Sequence, residues 1–278
     1  MSDWRKLSRA ELDAAYNNGA AVANSQALLA EWRARSAAFS TAHPGAKLDA
    51  AYGSHERQGV DFYPCGKKGA PALLLIHGGY WQIPVHTRAT FAALAQGPLA
   101  HGIDVGFAGY VLAPQATLAA IVTQIREAID LFGRILEAHG SDRTRVALAG
   151  WSAGGHLAVS TLDHPLASGA LAISGIFDLE PLRGSYINDK LGLTEGLARS
   201  LSPMRDPGAV RKKVALAVGA KELPELIRQS RDYAAARQAA GAPVTFAELA
   251  GRDHFTIVEE LAAPDGRLTA MVRELLAV

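Results

Sequence analysis

The sequence predicts an α/β domain with a mostly parallel central sheet, helices on both faces and a helical extension at the N-terminus. Three observations lead there. The chain has 278 residues, 49% of them hydrophobic. From about Arg57 onward, short apolar runs alternate with longer helix-compatible ones. A glycine-bracketed serine directly follows one of those runs. This length and composition suit one large α/β domain with a substantial core. Strands alternating with helices imply crossover connections and a sheet buried on both sides.

Residues 1–55 are predicted as the N-terminal helical extension, lying across one edge of the domain. Ser8 can cap a helix there, with Glu11 three residues on completing a capping box. Leu28, Leu29, Trp32 and Ala37 suggest a second helix with one buried stripe. Pro44-Gly45 breaks the region. Predicted strands follow at 72–76, 103–110, 146–149, 171–173, 214–218 and 243–246, with helices over 118–137, 225–239 and 266–276. The stretch 184–207 lacks periodicity and is expected to be an insertion over the site.

Charge and composition exclude several classes of function. Twenty-eight Lys and Arg oppose 27 Asp and Glu, a net charge of +1. That balance gives no electrostatic reason to expect nucleic acid or an anionic membrane surface. Met1-Ser2-Asp3-Trp4-Arg5 lacks the apolar run of a secretory signal, and no stretch approaches the ~20 apolar residues of a membrane span. The expected setting is the cytoplasm. Cys65 is the single cysteine, so neither an intrachain disulfide nor a cysteine-based zinc site is available. Beside Pro64 and Gly66 it is expected to be inert. No metal and no cofactor is expected, because His77 and His86 repeat no ligand spacing. The partner expected is a small-molecule substrate, and the sequence is compatible with a homodimer.

Gly150-Trp151-Ser152-Ala153-Gly154 follows an apolar strand and opens a helix-compatible run. A G-x-S-x-G turn in that setting lifts a serine hydroxyl clear of a sheet, which makes Ser152 the candidate nucleophile of an α/β-hydrolase fold. His77-Gly78-Gly79-Tyr80-Trp81 ends an earlier strand. There Gly78 and Gly79, with Ala153 after the serine, can offer backbone N–H groups to an oxyanion. The general base should lie late in the chain, and His254 does. His43 and His55 precede the core, His139 and His164 sit near helix ends, and His156 belongs to the serine's own helix. Two carboxylates could orient the imidazole: Asp178 after the fourth predicted strand and Glu222 after the fifth. The strand count favours Glu222. Asp253 adjoins the histidine too closely, and Glu225 after Pro224 should start a helix. Tyr80, Trp81 and Trp151 either line a substrate pocket or pack the loop beneath a lid.

The set His77-Gly78-Gly79-Tyr80-Trp81, Gly150-Trp151-Ser152-Ala153-Gly154-Gly155-His156-Leu157, Ile173-Ser174-Gly175-Ile176-Phe177-Asp178-Leu179, Ser202-Pro203 and Asp253-His254-Phe255 resembles kynurenine formamidase (arylformamidase) of the α/β-hydrolase type. The resemblance runs from about Tyr16-Asn17 to the C-terminus. It implies Ser152 as nucleophile and His254 as base. Glu222-Leu223-Pro224-Glu225-Leu226 falls where the family typically has Asp-Ser-Pro-Glu-Phe, so glutamate replaces the usual aspartate. It also implies hydrolysis of an aryl formamide such as N-formylkynurenine through an acyl-enzyme. A carboxylesterase with a small acyl pocket, an amidase for another N-acyl or carbamoyl arene, and a non-enzymatic binding protein on the same fold are the alternatives.

Overall fold

A strand that is apolar at every position needs a core on each face of its sheet, and this chain supplies both. The computed structural model describes residues 4–278. Met1, Ser2 and Asp3, the start of the segment read for a leader, lie outside the described residues. The strands are β1 (Lys47–Ala51), β2 (Gly59–Tyr63), β3 (Ala72–Ile76), β4 (Asp104–Ala108), β5 (Val146–Trp151), β6 (Gly169–Ile173), β7 (Lys213–Gly219) and β8 (Val244–Leu249). They form one sheet in the order β1-β2-β4-β3-β5-β6-β7-β8. Pairing is antiparallel between β1 and β2 and between β2 and β4, and parallel everywhere else.

Alternate residues of each central strand feed opposite cores. Leu74 and Ile76 of β3, Leu148 of β5 and Leu216 of β7 join one core. Leu73 and Leu75, Ala147 and Ala149, and Ala215 and Ala217 join the other. Helices Leu118–His139, Ala153–Ser160 and Pro224–Ala239 cover the first face. Ser25–Thr41 and Arg267–Leu276 cover the second. Helix Leu118–His139 shows the rule most plainly, burying Ile121, Ile125, Ala128, Ile129, Phe132 and Leu136 at helical spacing.

The six predicted strands and three long helices all form, with ends moved by a few residues. β1 and β2 are the two strands the sequence pattern hides. All five residues of β2 are buried, but Asp61 interrupts its apolar run. That carboxylate is accommodated by Arg88 Nε at 3.0 Å and the Asp49 N–H at 2.8 Å. β1 is an exposed edge strand, Lys-Leu-Asp-Ala-Ala, with no buried side to leave a pattern.

The N-terminal extension is helical, and Ser8 and Glu11 form the reciprocal capping box. Its helices pack against both cores and reach the strand ends, while its last part forms the edge strand β1, which the helical reading of residues 1–55 did not include. The buried stripe of helix Ser25–Thr41 is Ser25, Leu29, Trp32, Ser36 and Phe39, and Ala37 is exposed. Two serines in the stripe explain why the sequence pattern missed its true phase. The Ser36 hydroxyl donates to Thr90 O at 2.9 Å and accepts from the Ala93 N–H at 3.1 Å, so a polar residue sits satisfied in the core. Among the described residues, no helix is long and apolar enough to cross a membrane.

Parallel register brings the C-terminal ends of the central strands to one side. Ile76 pairs with Gly150, Trp151 with Ile173, and Gly219 with Leu249. The loops that follow β3, β5, β6, β7 and β8 therefore meet there, and they carry His77, Ser152, Ser174, Glu222 and His254.

Candidate active site

Ser152 leaves β5 with φ 55° and ψ −119°, a backbone conformation that side chains rarely adopt. Its N–H is tied to Ile173 O of the neighbouring strand at 2.7 Å, and the helix Ala153–Ser160 starts immediately after it. So sharp a turn leaves no room for side chains at its flanks. A Cβ on Gly150 would sit 2.0 Å from Gly154 O, and one on Gly154 would sit 2.1 Å from Ile76 O. Ala153 is the first helical residue, so its N–H has no intrahelical partner. Gly78 abuts the serine, because a Cβ there would lie 3.1 Å from Ser152 Cβ. Gly79, Tyr80 and Trp81 all have positive φ (108°, 47° and 59°), coiling the loop tightly beside the turn.

His254 Nδ1 lies 2.7 Å from Glu222 Oε2. A carboxylate can only accept, so Nδ1 carries the proton and Nε2 of the neutral ring is left as the basic nitrogen. The other carboxylate oxygen, Oε1, accepts from the Ser174 hydroxyl at 2.5 Å and from the Gly219 N–H at 2.7 Å. Glu222 thus folds back onto its own turn. That takes up the extra methylene it has over an aspartate and leaves its buried charge fully hydrogen-bonded. The Trp151 indole N–H donates to His254 O at 2.8 Å and fixes the loop that carries the imidazole.

Asp178, the other candidate carboxylate, accepts from the Glu180 N–H at 3.1 Å, and its backbone is held by Gln229. It serves its own turn, and burial raises its pKa. Asp253 likewise accepts from the Phe255 and Thr256 N–H groups, closing the turn next to the imidazole. Glu225 stands in the first turn of its helix, paired with Arg228.

Ser152 and His254 line one cavity of about 170 Å³. Gly79, Tyr80, His86, Trp151 and Phe255 form its lower wall. Asn17, Asn18, Gly19, Ser25, Gln26 and Leu29 of the N-terminal extension close it from above, with Tyr186 of the 184–207 segment. No Asp, Glu, Lys or Arg is among the lining residues. Larger surface grooves elsewhere include none of Ser152, Glu222 and His254. Of the two roles open to these aromatics, Tyr80 and Trp151 line the cavity. Trp81 does not: its indole is fully buried, edge-on to the His156 ring at 5.1 Å.

The remaining histidines pack rather than ligate. His77 stacks on Tyr110 at 4.3 Å, and burial lowers its pKa to about 3. His86 stacks on Trp151 and His156 bonds Leu201 O, both lowered to about 4 by burial. Among the described residues, no group of three His, Cys, Asp or Glu could hold a metal ion. Burial pushes the Cys65 thiol up to about 11, so little thiolate is present near neutral pH.

Sequence reasoning missed Asn18, Ser25 and Tyr186 as cavity residues, His86 as cavity wall and Ser174 as the partner of Glu222. Ser174 carried one signal, a serine straight after a buried strand, where its φ of 51° now lies. Tyr186 lies in the 184–207 stretch expected over the site, and the rest carried none.

Residues 61–162 match the family described as BD-FAE. Kynurenine formamidase of Salmo salar is 30% identical over 246 residues, covering 82% of this chain and 81% of that one. The chain belongs to the kynurenine formamidase family. The enzyme of that name from Danio rerio is 29% identical over 297 residues, 99% of both chains. A solved structure from Silicibacter sp. tm1040, described as a candidate thioesterase, superposes with a TM-score of 0.84 at 27% identity, over 96% of this chain and 99% of that one. The protein is accordingly a hydrolase with the α/β-hydrolase fold, and its formamidase relatives match it over most of its length.

Proposed function

We propose that this formamidase-family hydrolase cleaves an aryl formamide such as N-formylkynurenine through a formyl-serine intermediate. The observation that carries the reading is the buried Glu222–His254 pair facing the cavity of Ser152. Ser152 Oγ attacks the formyl carbon while His254 Nε2 takes its proton. The oxyanion is held by backbone N–H groups of Gly78, Gly79 and Ala153. The C–N bond then breaks, and His254 returns the proton to the departing aryl amine. Water, deprotonated by the same nitrogen, releases formate and regenerates the serine. Glu222 keeps the imidazole in the tautomer required and stabilises its protonated form.

Two features favour a small acyl group on a planar aryl amine. The cavity is smaller than the several hundred Å³ that enclose drug-sized ligands. Its walls are aromatic and uncharged, with Tyr80, Trp151 and Phe255 offering flat surfaces. Turnover of N-formylkynurenine should be measured beside its N-acetyl and N-butyryl counterparts, p-nitrophenyl esters and an acyl thioester. The formyl amide is expected to lead the amide series. Rates that rise with acyl length, or that appear only with esters or thioesters, would replace this reading with an esterase one.

A further inference from the structure

One buried polar atom beside the cavity is used by nothing in the protein. Asn18 is 4% exposed and lines the space shared by Ser152 and His254, yet its Oδ1 has no hydrogen-bond partner. The identity of that atom follows from a chain of donors. The backbone carbonyl of Tyr16 can only accept, so the Tyr80 hydroxyl, 2.7 Å away, donates its single proton there. Towards Asn18, 3.0 Å away, the Tyr80 oxygen has only lone pairs to offer, so the carboxamide must present Nδ2 to it. The flipped carboxamide would set two oxygens against each other with no proton between them. Burial raises the Tyr80 phenol well above its usual pKa, which keeps this relay protonated. The Asn18 carboxamide is thereby held with a bare acceptor, desolvated and waiting for a donor.

We propose that Asn18 is a specificity-determining residue that accepts a hydrogen bond from the substrate's amide N–H. The inference rests on the hydrolase reading of this cavity. An aryl amide carries a donor on the atom joining acyl group to ring, whereas the isosteric ester carries only an oxygen. An ester in the same pose leaves the Asn18 acceptor unpaired, and sites with an unpaired buried group reject such analogues strongly. As the carbonyl becomes tetrahedral, the amide nitrogen pyramidalises and its N–H leaves the plane of the ring. A fixed acceptor already placed for that geometry favours the tetrahedral state over the planar ground state.

The test compares formanilide, phenyl formate and N-formylkynurenine in wild type, Asn18→Ala and Tyr80→Phe, with melting temperatures alongside. Asn18→Ala should lower kcat/KM for both amides by about tenfold or more, and for phenyl formate by less than about threefold. Tyr80→Phe, which frees the carboxamide to rotate, should move the amide-to-ester ratio in the same direction by a smaller factor. Equal losses on amide and ester, or none on either, would overturn the assignment and leave Asn18 a packing residue. A loss confined to N-formylkynurenine would overturn it too, since the group read would then be the side-chain ammonium. Failure of the parent reading is distinguishable: Ser152→Ala would then still turn over phenyl formate, whatever the Asn18 ratio.

Discussion

The floor and the roof of the cavity are built in different ways. The floor is the set of strand ends and the turns they force: Ser152 at φ 55°, Ser174 at φ 51°, and Glu222 and His254 locked at 2.7 Å. Each group there is held by backbone register and at least one short bond. The roof, Asn17 to Leu29 with Tyr186, comes from segments outside the strand–helix alternation. It is held by side chains such as Trp32, whose ring meets Trp151, Phe91 and Phe255 at 5.7–6.1 Å and whose N–H donates to Glu259 at 2.8 Å. On this comparison, damage to the floor should remove chemistry with little loss of stability. Damage to the roof should do the opposite, or change selectivity.

The largest effect tests the floor. Ser152→Ala is expected to lose turnover by on the order of 10⁶-fold, with covalent labelling by a fluorophosphonate abolished, while the melting temperature holds. Labelling that survives would place the nucleophile elsewhere. Glu222→Gln should cost about 10⁴-fold in kcat, the scale for an orienting carboxylate, whereas Asp178→Asn should leave kcat within a few-fold. The reverse pattern would move the orienting acid one strand earlier.

Trp32→Ala tests the clamp between the two regions. Emptying a buried indole site costs about 3–5 kcal/mol, which corresponds to a melting temperature lower by roughly 10 °C. Below that temperature kcat should fall far less than in the floor variants. A collapse of kcat without a stability loss would mean that roof and floor are one catalytic unit.

The smallest effect is a slope with pH. His77, His86 and His156 lie in or under the floor, and their pKa values in the folded protein are about 3, 4 and 4, against an ordinary 6.5. The unfolded chain therefore binds protons that the folded chain refuses. Their contribution to stability is full above pH ~6.5 and is lost as pH falls from there towards 4, by at most ~1.4 kcal/mol per pH unit for each histidine. Urea midpoints measured from pH 7.5 to 4.5 should fall across that window, and more shallowly in His156→Gln. A midpoint unchanged down to pH 4.5 would contradict the depressed values.

The sequence by itself determined the sheet, its central strands and the principal groups of the floor, for a physical reason. A strand buried on both faces must be continuously apolar. A turn that lifts a serine off such a strand must be bracketed by glycines, as Gly150 and Gly154 are, because any side chain there would strike backbone. Those constraints are local and leave local marks. It also favoured Glu222 over Asp178 as the orienting acid, and the fold sets Glu222 against the imidazole. The hidden strands β1 and β2, the serines buried in the stripe of helix Ser25–Thr41, the fully packed Trp81 and the cavity wall from Asn17 to Leu29 were decided by tertiary structure alone. Each depends on partners far away in the chain: Asp61 on Arg88, Ser36 on Thr90 and Ala93, and Asn18 on Tyr80. A polar residue satisfied by a distant partner looks in sequence like one facing water, and only folding distinguishes the two.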